Sequence, residues 1–218
     1  MDRRTRQRIA RLYDGHLQRS YVTGKLASDP VYAATAAIVA DRALPLLDIG
    51  CGIGLLGHYL DAQGFAQPYL GLDHDARKIR AGQLAAQRAG LDARMTLSHA
   101  DVDLLPPVAG HVALLDVLHY LSAERQGALL NAAVRHLAPH GNLIIRNVLR
   151  EPNWRFHATR AEEFLLCASG WIPGGAQHYP SANELRAPLE NAGLVVRMEP
   201  LWGRTPFNSY LIVARQHD

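Results

Sequence analysis

Leu46-Leu47-Asp48-Ile49-Gly50-Cys51-Gly52-Ile53-Gly54-Leu55 runs from an apolar stretch, through an aspartate, into three alternating glycines and on into a second apolar segment. A strand that feeds glycines and then a helix offers a ligand the helix N-terminus and bare backbone N–H groups. Glycine is needed there wherever φ must be positive or a side chain would block the approach. A dinucleotide-binding fingerprint reads G-x-G-x-x-G, with an acid about 20 residues further on. Here the spacing is G-x-G-x-G, Leu55 occupies the third slot of that fingerprint, and Asp48 stands two residues before the first glycine. A carboxylate at that place opposes a phosphate and favours a cation. The stretch therefore reads as a cofactor loop for a cationic ligand, or as a glycine turn in some other α/β protein.

The alternation of strand and helix continues outward from this loop. LPLLDI (44–49) is a buried-strand candidate, with a helix from Leu55 to Gln63 that Gly64 stops. PYLGLD (68–73), ARMTLSHA (93–100), HVALLDVL (111–118) and NLIIRNVL (142–149) read as the next four strands. Helices are predicted over 74–90, 122–137 and 153–169, and Ser181-Ala-Asn-Glu184 is a capping box that opens another. HVALLDVL is nearly all apolar, as suits a central parallel strand covered on both faces. LVVRMEPLW (194–202) and NSYLIVARQ (208–216) are joined by a loop too short for a helical crossover, which predicts antiparallel neighbours. The pattern predicts an α/β fold, a doubly wound and mostly parallel seven-stranded sheet closed by an antiparallel hairpin. Residues 1–43 precede it as a helical cap segment, and residues 44–218 form the domain.

A chain of 218 residues, 48% hydrophobic and 20% charged, suits one globular domain with a full core. No apolar run reaches the roughly 20 residues of a transmembrane helix. The basic start, MDRRTRQRIARLYDGH, lacks the apolar region of a secretory signal. Cys51 and Cys167 have no C-x-x-C spacing, which argues against a zinc ribbon or disulfide framework and fits a reducing cytoplasm. Arg3, Arg4, Arg6, Arg8 and Arg11 crowd the N-terminus and could dock nucleic acid or an acidic partner. No nucleic-acid-binding signature accompanies them, so a solvated helix end is the simpler reading.

D-x-G-x-G-x-G at 48–54 resembles motif I of the class I S-adenosylmethionine-dependent methyltransferases, whose ligand carries an ammonium and a sulfonium and no phosphate. The resemblance implies S-adenosyl-L-methionine as cofactor. Asp48 would lie near its amino-acid end, with Gly50, Cys51, Gly52 and Gly54 passing beneath it. Asp73 ends the second strand 19 residues after Gly54, where the family's acid holds both ribose hydroxyls, and His74 follows it. Asp101 and Val102 stand where the family binds adenine, the acid at the exocyclic amine and the apolar side chain on the ring. Asp116 to His119, including Leu118, would line the methionine end. LAPHGNLIIRN resembles the family's L-x-P-G-G-x-L-x-I, with His140 in place of its first glycine. In small-molecule members a helical cap lies over the cofactor. From the cluster Tyr13, His16, Arg19, Tyr21 and Lys25, the last two would meet the cofactor's carboxylate. The resemblance covers residues 44–149 best. The GWIPGG (170–175) and TPFNSYLIVAR (205–215) segments are similar to methyltransferases of bacterial polyene-pigment clusters.

Methyl transfer from a sulfonium is an in-line displacement that needs a near-attack geometry and excluded water. A hydroxyl or phenol acceptor also needs a base. His119, just after the fourth strand, is the candidate catalytic residue. Tyr120, Trp154, His178 and Tyr179 are the candidate substrate residues, and Phe156, His157 and Trp171 could complete an aromatic wall. DVLHY replaces the N-P-P-Y or D-P-P-Y of amino-group methylation, no Pro-Cys pair supports cytosine C5 methylation, and Asp116 is a lone acid where a metal site would need several. The expectation is methyl transfer, without a metal, to an oxygen or carbon of a small aromatic or polyketide-like molecule. A nucleic-acid or protein methyltransferase, a non-catalytic cofactor-binding protein and a nicotinamide-dependent dehydrogenase stay open as alternatives.

Overall fold

The computed structural model describes residues 1–101, 105–168, 175–203 and 205–217, with the side chains of 162–168 excepted. Val102, Trp171 and residues 170–174 of the GWIPGG segment lie outside the described residues. Seven strands make one sheet in the order β3-β2-β1-β4-β5-β7-β6. They are β1 (Leu46–Ile49), β2 (Tyr69–Asp73), β3 (Met95–His99), β4 (His111–Leu115), β5 (Asn142–Val148), β6 (Leu194–Pro200) and β7 (Ser209–Gln216). The first five are parallel, and β7 runs antiparallel to both β5 and β6. Every residue of β1 and β5 is buried, so neither run alternates apolar with exposed polar residues, and the Asp48, Asn142, Arg146 and Asn147 they carry are buried too.

Local signals set the helix ends. Asp75 caps α5 (Ala76–Ala89) by accepting from Arg77 N–H, and Gly90 closes it in the left-handed region. Ser122 caps α6 (Ala123–Arg135), and the Ser181–Glu184 capping box opens α8 (Ala182–Asn191) in both its bonds. The other helices are α1 (Arg3–Ala10), α2 (His16–Ser28), α3 (Val31–Val39), α4 (Leu55–Ala62) and α7 (Trp154–Ala168). The strand predicted over 111–118 stops at Leu115. Asp116 takes φ +59° and a short 3-10 turn, Leu118–Tyr120, follows. That departure swings the Asp116 carboxylate onto Arg146 of β5. His140 adopts φ +61°, so the turn into β5 keeps its left-handed residue although histidine stands in the glycine slot.

The sheet separates two cores. On one face Ile9, Tyr13, Val22 and Val31 of the N-terminal segment share a single cluster with Leu46, Leu55 and Ile79, so residues 1–43 pack as part of the sheet's own core. On the other, α6 and α8 cover Leu47, Val112 and Leu143. Arg3, Arg4, Arg8 and Arg11 are exposed.

Two buried histidines make this core pH-sensitive. His58 of α4 is 2% exposed against the edge of the Tyr13 ring, and burial pushes its pKa down to about 4. At His111, Nδ1 accepts from Asn142 N–H at 3.1 Å while Nε2 donates to the Arg42 carbonyl at 3.2 Å. This geometry holds the neutral ring, and burial lowers the pKa of this histidine too. The unfolded chain takes up these protons first, from its ordinary value of 6.5 downward. Stability therefore falls as pH drops from about 6.5 towards 4, by about 3 kcal/mol for His58 alone. Asp48 acts in the opposite sense. Burial raises it to about 7, so its contribution is present below about 3.8 and lost as pH rises through 7. The His58→Met variant isolates the histidine: its urea midpoint, relative to wild type, should rise steadily from pH 7 to pH 4.5. A constant difference over that range would exclude the effect.

Candidate active site

The strand order reverses between β1 and β4, the place where open α/β sheets leave a crevice at the strands' carboxyl ends. The loops after these two strands touch. Gly50, at φ +80°, lies so close to Val117 that a Cβ would run into the valine side chain. Gly50 and Cys51 N–H both donate to the Leu72 carbonyl, at 2.7 and 2.9 Å, drawing the loop onto β2. The three glycines then divide their work. A Cβ on Gly52 (φ +59°) would meet nothing within 4 Å, so this glycine faces open space. A Cβ on Gly54 would come within 2.6 Å of Met95 Cε and 2.9 Å of Leu97 Cδ1. Gly54 thus seats the start of α4 against β3.

Three more of the expected cofactor residues turn their side chains into the protein. The Cys51 thiol points onto β2, where a Cβ at Gly71 would lie 2.7 Å from its sulfur, and burial pushes its pKa up. Leu118 is fully buried in the core with Leu114 and Leu129. Asp48 is 2% exposed and accepts a short hydrogen bond from Tyr69 Oη within the sheet.

Asp73 is the link between loop and crevice. Its Oδ2 accepts from Gly52 N–H at 2.8 Å and its Oδ1 from Asp75 N–H at 2.8 Å. Each oxygen keeps a second lone pair, so the carboxylate can shape the loop and still accept from a ligand's hydroxyls. His74 is exposed beside it, with Nδ1 3.6 Å from Asp73 Oδ1. Asp101 is exposed and accepts from Arg125 at 2.8 Å.

Four charges join the N-terminal helices to the ends of β4 and β5. Arg146 donates to Asp116 through Nε at 2.7 Å and through a second, short bond, and to Asp29 at 2.8 and 3.0 Å. Lys25 donates to Asp29 at 3.0 Å. The Asp29 and Arg146 side chains are nearly sealed, at 7% and 11% exposure, whereas Lys25 and Asp116 are each about a third open, at 32% and 33%. Burial alone would raise Asp116. The charges of Arg146, Lys25 and His119 outweigh it and hold the carboxyl below its usual range. Burial likewise works against Lys25, and Asp116 with Asp29 raises it nonetheless. Tyr13, 1% exposed, donates from Oη to the Ile53 carbonyl at 3.0 Å, so the N-terminal segment also grips the glycine loop. Tyr21 lies on the outside of α2, 43% exposed.

His119 is 5% exposed and sits among rings. Tyr120 is 4.1 Å away between centroids, Tyr179 lies parallel at 6.2 Å, and Phe156 meets Tyr179 edge-on at 5.2 Å. Gln126 Nε2 donates to the carbonyls of Leu118, Leu121 and His178, stapling the turn to the segment that carries Tyr179. The His178 ring pairs with Glu184 Oε1 at 3.0 Å and so supports α8. Trp154 is 64% exposed with the Arg155 guanidinium over its ring, outside the ring cluster. Asp29, Arg146, Asn147 and Gln126 went unpredicted. An arginine within the apolar run LIIRNVL was the available signal, since a charge there needs a partner.

Among the described residues no group of three or more His, Cys, Asp or Glu converges as a metal site, and no helix is long and apolar enough to cross a membrane. Residues 47–143 match the methyltransferase-domain family. Over 187 residues the chain is 30% identical to a ubiquinone biosynthesis O-methyltransferase of Cereibacter sphaeroides, covering 80% of this chain and 69% of that protein. The chain belongs to the class I S-adenosylmethionine-dependent methyltransferases. The corresponding enzyme of Rickettsia prowazekii is 30% identical over 139 residues, 62% of this chain and 51% of its own, so the chain spans about half the length of that relative. Magnesium protoporphyrin IX methyltransferase from Synechocystis, solved with SAH bound, shares the fold at a TM-score of 0.69, with 23% identity over 98% of this chain and 93% of its own.

Proposed function

We propose that this methyltransferase moves the methyl group of S-adenosylmethionine to a hydroxyl oxygen of a small, flat aromatic molecule, with His119 as the base. The observation that carries the reading is the contact between Gly50 and Val117, which sets the glycine loop directly against the turn that bears His119 and its ring cluster. The crevice fits the cofactor. Gly52 leaves room beside the Asp73 carboxylate, which would hold the ribose hydroxyls. Asp116 and Lys25, of opposite charge and both partly open, would take its ammonium and carboxylate. When bound, the cofactor supplies a methyl group activated by positive sulfur.

The remaining work falls to the chain. His119 would accept the proton of the acceptor hydroxyl. Tyr120, Tyr179 and Phe156 would hold a flat ring by offset contacts. The N-terminal segment, residues 1–43, would serve as the cap, held to the loop by Tyr13 and to β5 by Asp29. The relatives' O-methylation in ubiquinone biosynthesis supports an oxygen acceptor, and the cysteine usage supports a cytoplasmic setting.

The test is incubation with methyl-labelled S-adenosylmethionine and a panel of catechols, hydroxybenzoates and hydroxynaphthoates. Label is expected on a ring oxygen, and His119→Gln should lower turnover on the order of 10²-fold or more with cofactor affinity unchanged. Label appearing instead on RNA or protein of a cell extract would overturn the proposal.

A further inference from the structure

We infer that Asn147 is a positioning residue that sets the tautomer of His119, placing the proton on Nδ1 and the lone pair on Nε2; this rests on the reading of His119 as the base. Strand alternation turns neighbouring residues of β5 to opposite faces, and each clamps one residue of the turn after β4. Arg146 takes Asp116 and Asn147 takes His119. The Asn147 side chain is fully buried, and its Oδ1 receives two bonds from one residue: the His119 backbone N–H at 3.3 Å and ring Nδ1 at 3.0 Å. Its Nδ2 donates to the Val148 carbonyl at 2.9 Å.

The amide cannot be turned round. A backbone N–H only donates, so the Asn147 atom that faces it is the oxygen, and a carbonyl only accepts, so the atom facing Val148 is the nitrogen. The atom that meets His119 Nδ1 is therefore an acceptor, and Nδ1 carries the hydrogen. In a neutral ring the basic lone pair then lies on Nε2, the nitrogen at the far edge from β5. The backbone is fixed as firmly as the ring. The His119 carbonyl accepts from Gln177 N–H at 2.8 Å, and Gln126 holds the carbonyl of Leu118 at 2.8 Å. Among the described residues, Asp116 bears on this imidazole by its charge, and Tyr120 and Tyr179 by their rings.

Long-range proton–nitrogen correlation on protein carrying nitrogen-15 histidine reads the tautomer directly, with His119→Gln identifying the signal. Wild type should show hydrogen on Nδ1. Asn147→Asp keeps an acceptor for both bonds, so it should keep that pattern while the ring titrates about one pH unit higher or more. Asn147→Ala should shift the ring towards the Nε2–H form and lower kcat on the order of 10²-fold, with little change in acceptor KM. Hydrogen on Nε2 in wild type, or an unaltered pattern in Asn147→Ala, would overturn the inference. Should Asn147→Ala not fold, an unmoved titration in Asn147→Asp sinks it equally. If the tautomer is as inferred but His119→Gln keeps full turnover, the base reading fails while the assignment of the proton stands.

Discussion

Arg146→Met is expected to cost the fold about 3–5 kcal/mol, read as a lower urea midpoint at pH 7. Methionine is apolar and close in length, so the loss would be electrostatic rather than a matter of cavity volume. The guanidinium sits between Asp29 and Asp116, and its removal leaves two carboxylates to the single ammonium of Lys25. Asp29 is sealed by protein and cannot turn to water for compensation. The sign of the pH dependence follows from Asp116. In the native protein its carboxyl is held below the usual range, so its stabilisation is present above about pH 4 and lost in acid. Wild type and variant should therefore converge as pH falls below 4. Neutralising Asp29 and Asp116 together with Arg146 should recover much of the loss, because a removed network leaves no orphaned charge. A loss below about 1 kcal/mol for Arg146→Met would show instead that the four charges behave as a screened surface cluster.

Gly52→Val should abolish measurable S-adenosylmethionine binding, a loss of at least about 10²-fold in affinity by titration calorimetry, while the sheet stays folded. The backbone at Gly52 is left-handed, which costs a valine about 1–2 kcal/mol, but a Cβ there meets no protein atom within 4 Å. The side chain would enter open space at this residue, whose N–H donates to Asp73 Oδ2. Gly54→Val is the contrast. Its Cβ would strike Met95 and Leu97, so this variant should fail by unfolding rather than by blocked binding. Wild-type affinity in a folded Gly52→Val would remove the loop from the site.

These two variants divide the molecule along the line between local and distant information. The glycine loop and the succession of strands and helices could be read because they rest on short-range patterns: apolar runs, helix caps and the spacing of glycines after a strand. Arg146 and Asn147 could not be assigned roles from the run LIIRNVL, because their partners lie elsewhere in the chain. Asp29 is 117 residues from Arg146, and His119 is 28 from Asn147. The end of β4 was misjudged for a related reason. Nothing in HVALLDVL announces that Asp116 will leave the strand, since the cause is a cation on the adjacent strand.

By itself, then, the sequence determined the α/β sheet, the family and, with the family, the cofactor. It did so because strand burial and glycine conformations are decided within a few residues. Only the tertiary structure decided how three similar glycines differ. One lies against Val117, one faces open space and one packs on β3, according to which strand lies opposite each. It also turned Asp48 inward to Tyr69, closed Asp29 on both Lys25 and Arg146, and set Asn147 behind the ring of His119. Those arrangements depend on which strands become neighbours, and a hydrogen-bond partner brought across a sheet leaves no periodic trace in the chain.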